Sequence, residues 1–193
     1  MEITIIDYGA GNMQSVIFAL QRLGVYAVIA SDRDEICRAD KVIFPGVGHA
    51  TTAMYELKKQ GLDQLIPNLK QPVFGICLGM QLMCNSTEEG GINGLGIFDT
   101  EVKLLPQKLK VPHMGWNQIK VKNEPIFKGV ESGANVYFVH SYYAECCADT
   151  IAEASYDIQF SAGLNKNNFY GCQFHPEKSG AIGDQILQNF LDL

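Results

Sequence analysis

The sequence predicts an α/β protein with a mainly parallel, doubly wound sheet and an added antiparallel portion. Three observations carry that expectation. Short apolar runs alternate with amphipathic helical stretches through the first half of the chain, the pattern of βα units. The second half is richer in strand and reads as hairpin-like pairs. The chain has 193 residues, 47% of them hydrophobic, a size and composition suited to one domain (1–193) that buries a real core.

The first strand falls at residues 2–7. A helix follows at about 12–23, where Val16, Leu20 and Leu23 share one face and Gly24 supplies the stop. A second strand covers about 25–30. Lys41 to Phe44 is a short apolar strand that runs into Pro45-Gly-Val-Gly48, after which a helical stretch continues to Gln60 and stops at Gly61. Another helix reaches about residue 70. Residues 72–76 read as a buried strand, with Cys77 at the turn and a helix beyond it. Residues 84–96 form the most loop-like interior stretch. Strands then fall at about 97–104, 118–122, 135–140, 150–156 and 168–174. A last amphipathic helix places Ile182, Ile186 and Phe190 on one side. There is no internal repeat and no low-complexity segment.

The charge balance narrows the classes of partner. A net charge of −6 and a pI near 5.2 disfavour a phosphate-backbone binder, and the lysines and arginines are scattered, so no nucleic-acid partner is expected. The chain opens on a strand with neither signal peptide nor membrane span, so no membrane association is expected and the predicted location is cytoplasmic. Six cysteines fit no disulfide framework, and Cys37, Cys84, Cys146, Cys147 and Cys172 read as packing residues. Asn85-Ser-Thr87 matches a glycosylation acceptor but has no route to modification without secretion. His49, His113, His140 and His175 show no metal-ligand spacing, so no metal and no cofactor is expected.

Two segments carry chemistry. In Pro72-Val-Phe-Gly-Ile-Cys-Leu-Gly-Met-Gln81 a strand enters a helix at Cys77, a bend that pushes a side chain out of the fold. Glycines at 75 and 79 would clear the approach of a substrate, and the orphan N–H groups of the helix start favour a thiolate. The competing reading is a buried core cysteine. The base candidate lies in Tyr170-Gly-Cys-Gln-Phe-His-Pro-Glu-Lys-Ser179. His175 ends an apolar strand that Pro176 prevents from continuing, and Glu177, two residues on, can hold the imidazole in one tautomer. His113 and His140 compete for the role of base, and spacing leaves them open.

Gly75-Ile-Cys-Leu-Gly-Met-Gln81 together with Phe174-His-Pro-Glu-Lys-Ser179 resembles the class I, triad-type glutamine amidotransferases. These enzymes hydrolyse the side-chain amide of L-glutamine and hand the ammonia to a synthase. Asp7-Tyr-Gly-Ala-Gly-Asn12, Pro45-Gly-Val-Gly-His49, Pro112-His-Met-Gly-Trp-Asn117 and Tyr137-Phe-Val-His-Ser-Tyr142 narrow the resemblance to one branch. Members of that branch pass ammonia to a HisF-like (β/α)8 barrel cyclase subunit in histidine biosynthesis. The resemblance spans nearly the whole chain. It implies a flavodoxin-like fold and a Cys77, His175, Glu177 triad acting through a thioester. It also implies an oxyanion hole from the N–H groups of Leu78 and of Val47 in the Pro45-Gly-Val-Gly48 loop, whose ordinary reading is a strand-to-helix turn. Gly46, Gly48, Gln81, Glu89, Ser141 and Tyr142 would bind glutamine, with Glu88 the alternative to its neighbour Glu89. Asn12, Trp116 and Tyr137 match positions near the partner interface.

Two other functions compete with this one. A paralogous glutaminase could feed a different synthase, such as a sugar-modifying amidotransferase, and a non-enzymatic member of the fold could serve as a regulatory or binding module. The intact Cys77, His175 and Glu177 weigh against the latter.

Overall fold

The computed structural model describes residues 1–193. Its elements run β1 (Ile3–Ile6), α1 (Met13–Arg22), β2 (Ala27–Ala30), α2 (Arg33–Arg38), β3 (Lys41–Phe44), α3 (Ala50–Lys59), α4 (Leu62–Leu65), β4 (Val73–Ile76) and α5 (Leu78–Leu82). There follow β5 (Cys84–Thr87), β6 (Ile92–Asn93), β7 (Phe98–Leu104), β8 (His113–Val121), β9 (Ala134–His140) and β10 (Tyr142–Ala144). The chain closes with β11 (Thr150–Tyr156), β12 (Ile158–Lys166), β13 (Phe169–Cys172) and α6 (Gly180–Leu191).

A nine-stranded sheet has the order β2-β1-β3-β4-β13-β12-β11-β8-β9. The first five strands are parallel, and from β12 onward each neighbour is antiparallel. β1, β3 and β4 are buried at every position because helices cover both faces, so their sequences read as unbroken apolar runs rather than alternations. The two faces remain separable by residue. Val42, Phe44 and Val73 join a core cluster with α3, α4 and α5, whereas Ile3, Ile5, Ile43 and Phe74 pack with α1 and α6. Phe74 meets Phe190 with ring centroids 5.2 Å apart. Truncating such a buried ring costs about 3–5 kcal/mol.

The structure corrects several boundaries. Residues 84–96 are not a loop: β5 and β6 belong to a second sheet, β10-β7-β5-β6, where polar Ser86 and Thr87 gain strand character by pairing with Glu101 and Val102 of β7. Long-range pairing of this kind leaves no local periodicity. α2 also escapes the apolar pattern, since its start is set by Asp32, whose Oδ1 accepts from the N–H groups of Asp34 and Glu35 at 3.0 Å each. β8 begins at His113 rather than 118, β10 and β12 were not foreseen, and the helix expected to reach residue 70 closes as a 3-10 turn over Ile66–Asn68. All six cysteines are free thiols, and Cys84 and Cys172 are buried as expected. Cys37 and Cys146 are exposed, so they are not packing residues, and Cys147 is half-buried. No helix is long and apolar enough to cross a membrane.

Candidate active site

The carboxyl ends of β3, β4 and β13 converge, which is where ligands bind in an open parallel sheet. A cleft of about 290 Å³ opens there, lined by Val47, Gly48, Cys77, Leu78, Gln81, Glu89, Ser141, Tyr142 and His175 among the residues expected from sequence. His140, a rival candidate for the base, lines it too, as do Pro112, Val139 and Lys178, which were not foreseen. A cleft of this size suits a small polar metabolite.

Cys77 bridges β4 and α5 with φ 52° and ψ −108°, a left-handed backbone on a residue other than glycine. Such a conformation costs about 1–3 kcal/mol and persists where the surroundings impose it, commonly at functional sites. What imposes it here is close packing of α5 on β3. A Cβ on Gly79 would run into the Phe44 carbonyl, and one on Gly46 would stand 2.6 Å from the Gly79 nitrogen and 2.9 Å from the Tyr8 hydroxyl. A Cβ on Gly75 would collide with Met83. The expectation that Gly75 and Gly79 clear a substrate path is therefore corrected: they let the helix seat against the sheet. Gly46, expected to bind substrate, likewise lies beneath the cleft rather than on its wall. α5 has only five residues, so its contribution is the orphan N–H groups of its first turn rather than a long helix dipole.

His175 follows β13 at the head of a 3-10 turn, and the strand itself ends at Cys172, earlier than expected. Its backbone is fixed by N–H donation to the Tyr137 carbonyl at 2.9 Å and by acceptance from Ser179 Oγ at 2.6 Å. The buried ring places Nδ1 2.7 Å from Glu177 Oε1, while Nε2 is buried without a protein partner. With Nδ1–H donated to the carboxylate, Nε2 is the nitrogen left to exchange a proton with the thiol. Burial opposes a charge on His175, but Cys77 and Glu177 outweigh it through hydrogen bonding and charge and raise its pKa to about 10. Cys77 Sγ sits 3.9 Å from the Val139 carbonyl and accepts from Gln173 Nε2 at 3.6 Å.

The two rival histidines have a different job. His140 Nδ1 lies 2.8 Å from the Tyr142 carbonyl, His113 Nδ1 lies 2.9 Å from His140 Nε2, and Asn117 Nδ2 reaches His113 Nε2 at 3.4 Å. One tautomer satisfies the whole chain: both rings protonated at Nδ1 and neutral. Burial pushes His113 down to about 4 and His140 down to about 3, so both remain uncharged. They are a strut behind Tyr142.

On the far wall, Tyr8 donates its hydroxyl to the Pro45 carbonyl at 2.8 Å, and burial, with Cys77 nearby, holds that hydroxyl protonated. This pins the start of the glycine loop, while Val47 stands 40% exposed and Gly48 has φ +100°. Glu89 faces the cleft and accepts from the Ala50 N–H at 2.8 Å through Oε2, whereas Glu88 turns away to accept from the Leu104 N–H. Asn12 caps α1 by accepting from the Ser15 N–H at 3.4 Å. Trp116 is 58% exposed and stacks edge-on against Tyr137, with centroids 6.0 Å apart. An exposed lone tryptophan is no core residue.

Gln173 is the buried residue that sequence reasoning passed over. The available signal was a single amide within the apolar run from Phe169 to Phe174, two residues before His175.

Comparison with known proteins places this geometry in context. Residues 4–193 match the family described as glutamine amidotransferase class-I. Over its full length the chain is 57% identical to a Bacteroides thetaiotaomicron protein and 48% identical to one from Pectobacterium atrosepticum, each covered fully and each named imidazole glycerol phosphate synthase subunit HisH. Among solved structures it resembles a putative GMP synthase component from Thermoplasma acidophilum, with TM-score 0.77 at 22% identity, over 100% of this chain and 92% of that one. That last likeness concerns the fold.

Proposed function

The chain belongs to the class I glutamine amidotransferase family, and from that premise we propose a mechanism in which Cys77, His175 and Glu177 hydrolyse glutamine within the cleft. The protein is the glutaminase subunit of imidazole glycerol phosphate synthase, in histidine biosynthesis. The observation that carries the catalytic assignment is the buried His175–Glu177 bond, which leaves Nε2 unpartnered in the same cleft as the strained Cys77 elbow.

His175 Nε2 takes the Cys77 thiol proton, and the sulfur forms a bond to the amide carbon of glutamine while the carbonyl π pair moves to oxygen. The oxyanion is held by the N–H of Leu78, fixed at the start of α5, and by that of Val47, which the glycine loop brings into place in the activated enzyme. The tetrahedral intermediate collapses as the imidazolium returns its proton to the leaving nitrogen, releasing ammonia and leaving a thioester. Water, deprotonated by His175, attacks the thioester carbon, and the thiolate departs and is reprotonated as glutamate is freed. Glu177 holds the ring in its tautomer and balances the imidazolium. Gln81, Glu89, Gly48 and the backbone of Ser141 and Tyr142 hold the amino-acid end of the substrate. Glu89 keeps Oε1 for the substrate ammonium, since Oε2 is engaged by Ala50.

Ammonia meeting water at neutral pH is protonated and cannot attack, so a partner must receive it directly. We assign that partner as a HisF-like (β/α)8 barrel cyclase docked against Trp116, Tyr137 and Asn12. Residues 1–193 then act as one domain, in the reducing cytoplasm that suits a free catalytic thiol. The test is glutamate release by the purified pair of proteins. Wild-type complex should hydrolyse glutamine and Cys77→Ala should not, while both make product from ammonium salt. Hydrolysis surviving in Cys77→Ala would refute the assignment.

A further inference from the structure

Gln173 has no part in the triad, yet it is wholly buried and its side chain touches the nucleophile. Its Oε1 accepts from Gln81 Nε2 at 2.9 Å, and its Nε2 lies 3.6 Å from Cys77 Sγ. The neighbours dictate this orientation. Gln81 Nε2 also donates to the Tyr142 carbonyl at 2.8 Å, and a carbonyl can only accept, so the nitrogen end of Gln81 must face that way. That nitrogen in turn requires an oxygen opposite it, which turns the NH2 of Gln173 onto the sulfur. The second lone pair of the Tyr142 carbonyl is taken by His140, so the network is closed from the histidine strut to Cys77.

We propose that Gln173 is a further catalytic residue of the glutaminase, an N–H donor to the Cys77 sulfur that favours its anionic form and aims it at the substrate amide. The proposal rests on the reading of Cys77 as the nucleophile. In acylation the thiol proton passes to His175 Nε2, and the N–H of Gln173 then faces a full negative charge. As the sulfur lone pair becomes the S–C bond, that charge moves to the oxyanion and the Gln173 bond weakens. When the thioester breaks, the S–C pair returns to sulfur and the same N–H receives the leaving thiolate. Gln173 is never deprotonated. A donor to sulfur therefore speeds thiolate formation and thioester breakdown, and it adds nothing to substrate affinity.

The experiment uses two variants, each in complex with the cyclase. Gln173→Glu keeps the shape and the acceptor for Gln81 but replaces the donor by a carboxylate, and Gln173→Leu removes both. For each, kcat and KM for glutamine are measured with the pH profile of Cys77 alkylation by iodoacetamide. Tyr8, Cys172 and His175 are the titratable groups that sense Cys77, and none is altered. The expected result is a loss of about tenfold or more in kcat with KM little changed, the scale of one hydrogen bond to a charged group. The alkylation profile should move to higher pH, more so for Gln173→Glu. In the wild-type protein the side-chain amide NMR signal of Gln173 should shift when Cys77 is alkylated. If Cys77→Ala abolishes hydrolysis while both Gln173 variants keep the wild-type kcat and alkylation profile, the inference fails and the nucleophile assignment stands. If Cys77→Ala still hydrolyses glutamine, it is the underlying reading that fails.

Discussion

The two walls of the cleft are built to different standards of rigidity. On one wall, Cys77, Gln173 and Gln81 are buried and joined by side-chain hydrogen bonds, as are His175 and Glu177 beside them, with His113 and His140 braced behind Tyr142. On the other, the glycine loop is pinned at Pro45 by Tyr8, after which Val47 is exposed and Gly48 adopts a backbone open to few other residues. The difference teaches where control can act. Proton transfer and nucleophilic attack need groups that hold their places, whereas Val47, the second of the two proposed oxyanion donors, sits on the segment whose peptide can turn at little cost.

The largest effects should come from the rigid wall. Cys77→Ala or Cys77→Ser removes the nucleophile and should lower glutamine hydrolysis by at least about a thousandfold, with ammonia-dependent synthesis intact. His175→Ala should come close to that loss. Glu177→Gln, which keeps the shape and gives up the charge, should cost less, about a hundredfold. Equal losses for the glutamate and histidine variants would mean that Glu177 does more than orient the ring. Steady-state glutamate release from the complex measures all of these.

The loop should govern activation. The isolated glutaminase is expected to be nearly silent, and turnover should rise by two to three powers of ten when the partner is loaded with acceptor, which needs only about 3–4 kcal/mol of differential stabilisation. Gly48→Ala should blunt that rise, because at φ +100° a Cβ is strained even with open space around it. Equal turnover for the isolated glutaminase, with empty partner and with loaded partner would abolish the contrast between the walls and remove the gate.

How much of this contrast the sequence reveals depends on the range of the forces involved. The elbow at Cys77 and the His175–Glu177 pair are local motifs, so their positions were legible. The parallel half of the sheet was equally plain, since buried strands such as Val42-Ile-Phe44 announce themselves by composition. Gln173, the His113–His140 strut and the pairing of β5 with β7 depend on partners between about 14 and 96 positions away, too far apart for a local pattern to show both members. The glycines were identified for the wrong reason. Their positions were visible, but the atoms they make room for belong to Phe44 and Met83 rather than to substrate.

The proposed docking surface reaches the rigid wall through the backbone of β9. Exposed Trp116 packs on half-buried Tyr137 across the β8–β9 pair, and the β9 backbone carries the Tyr137 carbonyl that holds His175 and the Val139 carbonyl beside Cys77. Trp116→Ala should weaken association with the cyclase about tenfold, the effect of a moderate interface anchor, and leave the melting temperature of the isolated glutaminase unchanged. Titration calorimetry against the partner tests this. Unchanged affinity would move the docking surface elsewhere.

The smallest effect tests the brace itself. His113 and His140 are held neutral in the fold, with values near 4 and 3 against about 6.5 for a free imidazole. Below pH 6.5 the unfolded chain therefore binds protons that the folded chain refuses, and stability falls as pH drops from 6.5 toward those folded values. Protonating His140 at Nε2 would set two N–H groups against each other across the 2.9 Å contact with His113, so the strut behind Tyr142 loosens along with the fold. Between pH 6.5 and 5 few carboxylates titrate, which isolates the histidine contribution. His113→Gln, which cannot take up a proton there, should flatten the decline in melting temperature over that interval relative to wild type. It should cost a little stability at pH 8, where the neutral pair is intact. Parallel declines in the two proteins would show that the pair does not carry the acid sensitivity of the rigid wall.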